Sequence, residues 1–337
     1  MRARELGITI GTLEPGALDA ITDVDGVRVG HTTLIDGDAV RTGVTLVIPP
    51  ELPCFAAPFR LNGNGEMTGL EWVRESGLLT TQIGITNTHS VGVVRDAIVR
   101  AGIEHGTDRW HLPVVAETFD GRLNDIDGMH VRTEHVLAAL ESAAGGAVAE
   151  GNVGGGTGMI CHGFKGGVGT ASRRAGEHVV GVLVQANHGR RSRFEVNGVP
   201  AGRELDVPLP AGPEGEGSII VIVATDAPLL PHQCERLAAR AALGIGRLGG
   251  AGENSSGDLV LAFATGNRGL GSDEPVALRM QPNSAMDDLF YAAIEATEAA
   301  ILNALLAAET MTGKDGFTVH ELPADALVEL LRRHGRL

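Results

Sequence analysis

The sequence predicts one layered α/β domain. Three observations carry that reading: nearly continuous apolar runs of strand length, helical stretches interleaved with them, and no repeat or low-complexity linker to divide the chain. The 337 residues could hold two domains by length, but strands and helices mix from end to end, so a single domain over 1–337 is expected. Hydrophobic residues at 43% and charged residues at 20% suit a packed core rather than a disordered chain. Aromatics make up only 3%, against 48 glycines, so the core must be built from Ala, Val, Leu and Ile with close backbone approaches.

In chain order, residues 44–48 and 83–86 read as buried strands, bounded by glycine, proline or Asn-Gly pairs. A helix over 88–101 follows a Thr/His/Ser cluster able to cap it, and another spans 134–144. Residues 179–186, 219–224 and 259–264 are almost wholly apolar, as expected of strands covered on both faces. The Pro-, Gly- and Glu-rich stretch 199–216 reads as a loop. Residues 231–244 read as a helix with Pro231 in its first turn. The longest helix is expected over 287–310, where Phe290, Ile294, Ile301 and Leu305 recur at helical steps; a short helix over 324–334 closes the chain.

Composition excludes several classes. A net charge of −15, from 42 acids against 27 bases, disfavours nucleic acid or an anionic membrane surface as partner. Residues 1–5 carry Arg2 and Arg4 but no apolar segment follows, so no signal peptide is expected, and no run reads as a membrane span. Three cysteines without a CxxC pair suit neither a disulfide framework nor a cysteine-rich zinc site. The twelve histidines show no HExxH spacing, so no metal and no cofactor are expected. The whole reads as a soluble, cytoplasmic protein.

Four constellations could carry chemistry. The cluster Gly151-Asn152-Val153-Gly154-Gly155-Gly156-Thr157-Gly158 lets backbone N–H groups converge on an anion or oxyanion, or else is a tight bend for close packing. It lacks the Gly-Lys-Ser/Thr of a P-loop. A second glycine cluster, 166–172, follows Lys165 and reads as a loop with an exposed lysine. Glu253-Asn254-Ser255-Ser256-Gly257-Asp258 stands directly before a buried strand. It reads as a plain turn, or as a hydroxyl presented to a pocket floor, without the Gly-x-Ser-x-Gly elbow. On the longest helix, with Phe290 at zero, Glu298 falls at roughly 80°, the edge of the buried stripe, and Glu295 near 140°, outside it. The Asn-Gly pairs at 62–65 read as hairpin turns. In Thr86-Asn87-Thr88-His89-Ser90, Thr88 or Ser90 reads as an N-cap while Asn87 and His89 stay open.

These segments also carry a resemblance. LNGNGEMTG from Leu61, ITNTHSVGVVRDA from Ile85, ETFDGRLNDIDG from Glu117 and EGNVGGGTGMICHGFKGGVGTASR from Glu150 are similar to motifs of the L-aminopeptidase/D-esterase family, which includes the β-peptidyl aminopeptidases. So are GVLVQANHG from Gly181, IIVIVATDAPLLPHQ from Ile219, NSSGDLVLAFATGN from Asn254 and EATEAAILNALLAAETMTG from Glu295. The resemblance implies an αββα sandwich of N-terminal-nucleophile type with its own connectivity. It implies a chain that cuts itself before a serine, into residues 1–255 and 256–337, and a new α-amine that serves as base. The serine followed by Gly-Asp is Ser256, with Ser255 as the adjacent rival. Glu298 matches a family acid expected to orient the amine and hydroxyl, although Ala296 stands where some relatives carry a serine. Asn187 is the first candidate oxyanion donor; Asn152 and the amides of Gly154 and Gly155 come second. Asp120, Asn124 and Asp125 are candidates to hold a substrate ammonium. The expected protein is a metal-free, self-processing aminopeptidase or amidase acting on small peptides, amides or esters and assembled as a homotetramer. The alternatives are a related amide hydrolase or acyltransferase, or a non-catalytic anion binder using its glycine loops.

Overall fold

The computed structural model describes residues 1–106, 110–212 and 217–337. Two sheets lie face to face. The first has four strands in the order β1 (Arg28–Asp36), β2 (Val40–Ile48), β5 (Ile83–Asn87), β6 (Val114–Thr118). The second has six, in the order β4 (Leu78–Leu79), β3 (Cys54–Gly63), β12 (Ser256–Ala264), β11 (Gly217–Thr225), β10 (His178–Asn187), β9 (Gly167–Ala175). Two minimal hairpins stand apart: β7 (Ile160–Cys161) with β8 (Phe164–Lys165), and β13 (Met311–Thr312) with β14 (Thr318–Val319).

Parallel neighbours need a long crossover, which a helix supplies. Here α2 (Val91–Glu104) lies between β5 and β6, and α5 (Pro231–Arg247) between β11 and β12. The second crossover brings the chain back at the head of an interior strand, whose first residue is Ser256.

The inner faces of the sheets meet through Val47, Ile83 and Ile85 on one side and Leu183, Ile222 and Phe263 on the other. The outer face of the six-stranded sheet is covered by α5 and α6 (Asp287–Ala307), and α7 (Ala324–Arg333) packs into the same core. The outer face of the four-stranded sheet is covered by α2 and α3 (Thr133–Glu141). The layering is therefore αββα. Two short helices, α1 (Leu70–Ser76) and α4 (Ala201–Glu204), sit on connections. The second falls within the expected loop 199–216, of which residues 213–216 lie outside the described residues.

The strands expected at 44–48, 83–86, 179–186, 219–224 and 259–264 lie within β2, β5, β10, β11 and β12, and the five expected helices are present with shifted ends. The differences are instructive. The Asn-Gly pair at 62–63 is not a hairpin turn: β3 runs through it, paired with β12, with Leu61 as an extra residue where the register shifts. The glycine cluster 166–172 is not an exposed loop. Most of it is β9, which pairs along β10, and its flanking Lys165 is fully buried. Helix α6 is buried on nearly every side, so Glu295, expected outside the apolar stripe, is buried as well. It accepts the backbone N–H groups of Thr12 and Leu13 at 2.9 Å, and Arg173 lies 3.7 Å away. Residues 283–307 are long and apolar enough to cross a membrane by length and composition, contrary to expectation. In the fold 89% of the apolar window is buried.

The Lys165 ammonium donates to the carbonyls of Met159 (3.0 Å) and Gly166 (2.8 Å). Burial lowers its pKa to about 7, partly opposed by Cys161. The unfolded chain keeps this proton up to the ordinary lysine range, whereas the folded chain releases it near 7. Between those values the unfolded state binds more protons, so this group's contribution to stability rises with pH from about 7 to about 10. Lys165→Met should flatten that rise, as read by urea midpoints of both proteins at pH 7 and pH 9.5.

Candidate active site

The site is built where β12 begins. Ser256 is its first residue, paired in register with Gly217 of β11, while Gly257 pairs with Gly63 of β3. Side chains two apart on a strand share a face, and the Ser256 hydroxyl donates to Asp258 Oδ1 at 2.5 Å. Both residues are buried. Burial is the main cause that lifts the Asp258 carboxyl to about 6; the Ser256 hydroxyl opposes the rise and nearby Glu253 adds to it. The chain ahead of Ser256 is a tight turn, closed by Ser256 N–H donating to the Glu253 carbonyl at 2.8 Å. The end of β3 grips that turn. Asn62 Nδ2 donates to the carbonyls of Ser256 and Glu253, and Asn64 Nδ2 donates to the Ser255 carbonyl at 2.8 Å.

Over this turn lies a cavity of about 480 Å³, lined among others by Asn64, Gly65, Glu117, Phe119, Gly217 and Ser255. Glu117 is 3% exposed; it accepts the Glu66 N–H at 2.9 Å and the Thr88 hydroxyl. Burial raises its pKa, opposed chiefly by the Thr88 hydroxyl. Thr88 is thus spent on Glu117 rather than on a helix cap, and Ser90 makes no capping bond either. A Cβ on Gly65 would lie 3.1 Å from both Glu117 Oε1 and the Cα of Gly257. The carboxylate and β12 therefore flank the space of one missing methyl group. A larger hollow of about 840 Å³, lined by Ile48, Pro53, Ile98 and Leu137 among others, shares no residue with this site.

The other expected residues fall out as follows. Asn187, at the end of β10, gives Oδ1 to the Ile160 N–H (2.7 Å) and one Nδ2 proton to the Phe119 carbonyl (2.9 Å). Nδ2 also lies 3.1 Å from where a Cβ on Gly217 would sit, beside the register partner of Ser256. Nδ2 carries a second N–H beyond the one given to Phe119, although Asn187 itself does not line the cavity. Asn152, Gly154 and Gly155 do not line the cavity. Asn152 Nδ2 donates to the Glu309 carbonyl (2.8 Å), Gly154 N–H to Thr33 (2.8 Å) and Gly155 N–H to Thr45 (3.1 Å). The glycine cluster is a close-packing device whose amides are spent inside the fold.

Glu298 is not joined to Ser256 by any hydrogen bond or ion pair among the described residues. Arg247, at the end of α5, lies 2.5 Å from its carboxylate. Burial raises the Glu298 pKa and Arg247 opposes the rise. Asp120 is buried and accepts from Asn87 (3.0 Å) and Asn124 (3.1 Å), with burial lifting its carboxyl to about 6. Asn124 in turn accepts the Arg41 N–H at 3.0 Å. Asp125 lies 3.6 Å from both His130 and Lys314. These three residues tie loops together and do not line the cavity, whereas Glu117, three residues before Asp120, does. Local spacing also missed a cluster that the fold assembles from two segments. Cys161, His162 and His188, all buried, have ligand-type atoms within 4.8 Å of one another, a set that could hold a soft metal.

A buried serine at the head of an interior strand, in an αββα sandwich and directly after a residue lining a cavity that holds a buried carboxylate, is the arrangement of an N-terminal-nucleophile serine hydrolase. The chain belongs to Peptidase family S58, whose family model matches residues 19–319. It is similar to the beta-peptidyl aminopeptidase BapA of Sphingosinicella microcystinivorans, with 48% identity over 100% of this chain and 93% of that protein. Among solved structures, a Burkholderia sp. beta-aminopeptidase superposes with a TM-score of 0.94 at 53% identity, covering 99% of both chains. The L-aminopeptidase D-Ala-esterase/amidase of Ochrobactrum anthropi, described as a variant of the Ntn hydrolase fold, does so with a TM-score of 0.93 at 42% identity, covering 100% of this chain and 99% of that one. The protein is an N-terminal-nucleophile serine aminopeptidase.

Asp120→Ala should leave two buried amides without their acceptor, at about 1–3 kcal/mol each. The expected result is a large fall in the urea midpoint, with KM for amino-acid amides changed less than by substitution of Glu117.

Proposed function

We propose that this aminopeptidase cuts its own chain before Ser256, leaving subunits 1–255 and 256–337, and then uses Ser256 to release N-terminal residues from short peptides and amides. The observation that carries the reading is the buried Ser256 hydroxyl at the head of β12, with the Glu117 carboxylate across the gap at Gly65. Once freed, the α-amine of Ser256, with an ordinary pKa near ~7.7–8.0, is substantially neutral around pH 8 and takes the hydroxyl proton. The hydroxyl oxygen attacks the substrate carbonyl, the remaining N–H of Asn187 stabilises the oxyanion, and the protonated amine returns its proton to the leaving nitrogen. Water then hydrolyses the ester on Ser256. Glu117 holds the substrate ammonium, which restricts cleavage to the first residue.

The named relatives support N-terminal β-amino acids as substrates, together with α-amino-acid amides. A panel of β-alanyl and L- and D-alanyl p-nitroanilides tests this, and hydrolysis of the α-compounds alone would refute it. We further propose a homotetramer. Its support is the exposure of Leu243 on α5 and Tyr291 on α6, large apolar side chains on an outer layer. Light scattering at micromolar concentration should give four times the chain mass.

Ser256→Ala should leave one intact chain without peptidase activity, because the cut and the turnover need the same hydroxyl. Ser255→Ala should still be cut. A fragment found by mass spectrometry to begin at Ser255 would move the nucleophile by one residue. Glu117→Gln should raise KM for substrates with a free amine by about thirtyfold to several thousandfold, as loss of a buried charge partner costs about 2–5 kcal/mol. An unchanged KM would remove Glu117 from substrate binding.

A further inference from the structure

An enzyme that uses its own α-amine as base faces a difficulty before it is cut. In the continuous chain the nitrogen of Ser256 is an amide and accepts no proton, so another group must activate the hydroxyl for the first reaction. We propose that Asp258 is that base and that Asn64 is the donor that holds the oxyanion formed at the Ser255 carbonyl, so that β12 and the end of β3 together form a processing apparatus distinct from the machinery of turnover. The proposal rests on the self-cutting reading above and adds what drives the cut.

The geometry supplies each part. The Ser256 hydroxyl already donates to Asp258 Oδ1 at 2.5 Å, the direction in which its proton must leave. The carbonyl ahead of it, that of Ser255, already accepts the Asn64 side-chain amide at 2.8 Å. The peptide units on either side are pinned. Asn64 N–H donates to the Ser256 carbonyl at 3.2 Å, and Asn62 Nδ2 donates to the carbonyls of Ser256 and Glu253. Gly257 N–H donates to Ser218 Oγ at 3.0 Å, fixing the far side through β11. The register shift at Leu61 presents Asn62 opposite Asp258. The charge acting on Asp258 is that of Glu253, which has Arg190 4.0 Å away; Asn62 faces Asp258 from β3 and the Ile219 backbone from β11. With its carboxyl at about 6, Asp258 is ionised at neutral pH and more basic than an ordinary aspartate.

Ser256 Oγ attacks the Ser255 carbonyl carbon as its proton passes to Asp258, and the carbonyl oxygen becomes an alkoxide held by Asn64 Nδ2–H. Collapse breaks the Ser255–Ser256 C–N bond, and Asp258 gives the proton to the departing nitrogen. The product is an ester between the Ser255 acyl group and Ser256 Oγ. A water molecule hydrolyses it to the Ser255 carboxylate, the Ser256 hydroxyl and the free α-amine that serves as base thereafter.

The test follows the cut directly, by denaturing electrophoresis and intact mass after pulsed synthesis of the full chain. Wild type should cut, and Ser256→Ala should not. Asp258→Asn should slow the cut by about 10²–10⁴-fold, and Asn64→Ala by about 10²–10³-fold. Asn64 is exposed, so its variant should fold, with circular dichroism as the check. The wild-type cutting rate should fall as pH drops through about 6, where Asp258 takes a proton, and Asp258→Asn should lose that inflection. A folded Asp258→Asn or Asn64→Ala protein that cuts at the wild-type rate overturns the assignment while leaving self-processing intact. Should Asp258→Asn not fold, a wild-type rate without an inflection near pH 6 overturns the role of Asp258. Cutting of Ser256→Ala would sink the self-processing reading itself, and this proposal with it.

Discussion

The site depends on the double pairing of β12, parallel to β11 on one side and antiparallel to β3 on the other. An interior strand cannot shift register without moving every side chain to the wrong face. Its first residue is therefore held as firmly as its core residues Leu261 and Phe263, which are fully buried. Serine at that first position gains a fixed place, and glycine at 257 lets the end of β3 close over it. The crossover through α5 brings the chain to this point through a tight turn, which places the Ser255–Ser256 peptide within reach of Asn62 and Asn64.

The chemistry follows from burial. Asp258, Glu117 and Asp120 are removed from water, and burial raises the pKa of each. Their partners separate their roles. Asp120 is satisfied by two side-chain amides and holds loops together. Glu117 is held by one backbone N–H and one hydroxyl yet still lines a cavity, which leaves it able to meet a cation. Asp258 receives the Ser256 hydroxyl. Three acids of similar burial thus serve three purposes, set by which atoms face them.

The glycine richness that dominates the composition serves packing more than recognition. The amides of Gly154 and Gly155 are spent on Thr33 and Thr45, and β9 lies against α6 through residues without bulk. At Gly65 the same smallness has a consequence at the site, because any side chain there would press on Glu117 and on Gly257.

Much was legible in the sequence. Near-continuous apolar runs marked β10, β11 and β12 because strands covered on both faces carry no alternation, and the long period of α6 marked the helix over them. The motif around Ser256 marked the segment that opens β12. Other features were not legible, for physical reasons. Pro58 and the Asn-Gly pair disguise β3, and glycines disguise β9; both are strands because their neighbours pair with them. Glu295 and Glu298 seemed graded by helix phase, yet α6 is enclosed on nearly all sides, so phase carried no information there. Extending β12 back to residue 256 would have put Ser256 and Asp258 on one face by simple alternation. Sequence by itself determined which segments are apolar enough to be buried and which segment carries the Ser255-Ser256-Gly-Asp motif, since those are local properties of composition and motif. Only the tertiary structure decided that Glu117 rather than Asp120 faces the cavity and that Glu298 meets Arg247. Such choices are made by contacts between segments far apart in the chain, which no local pattern encodes.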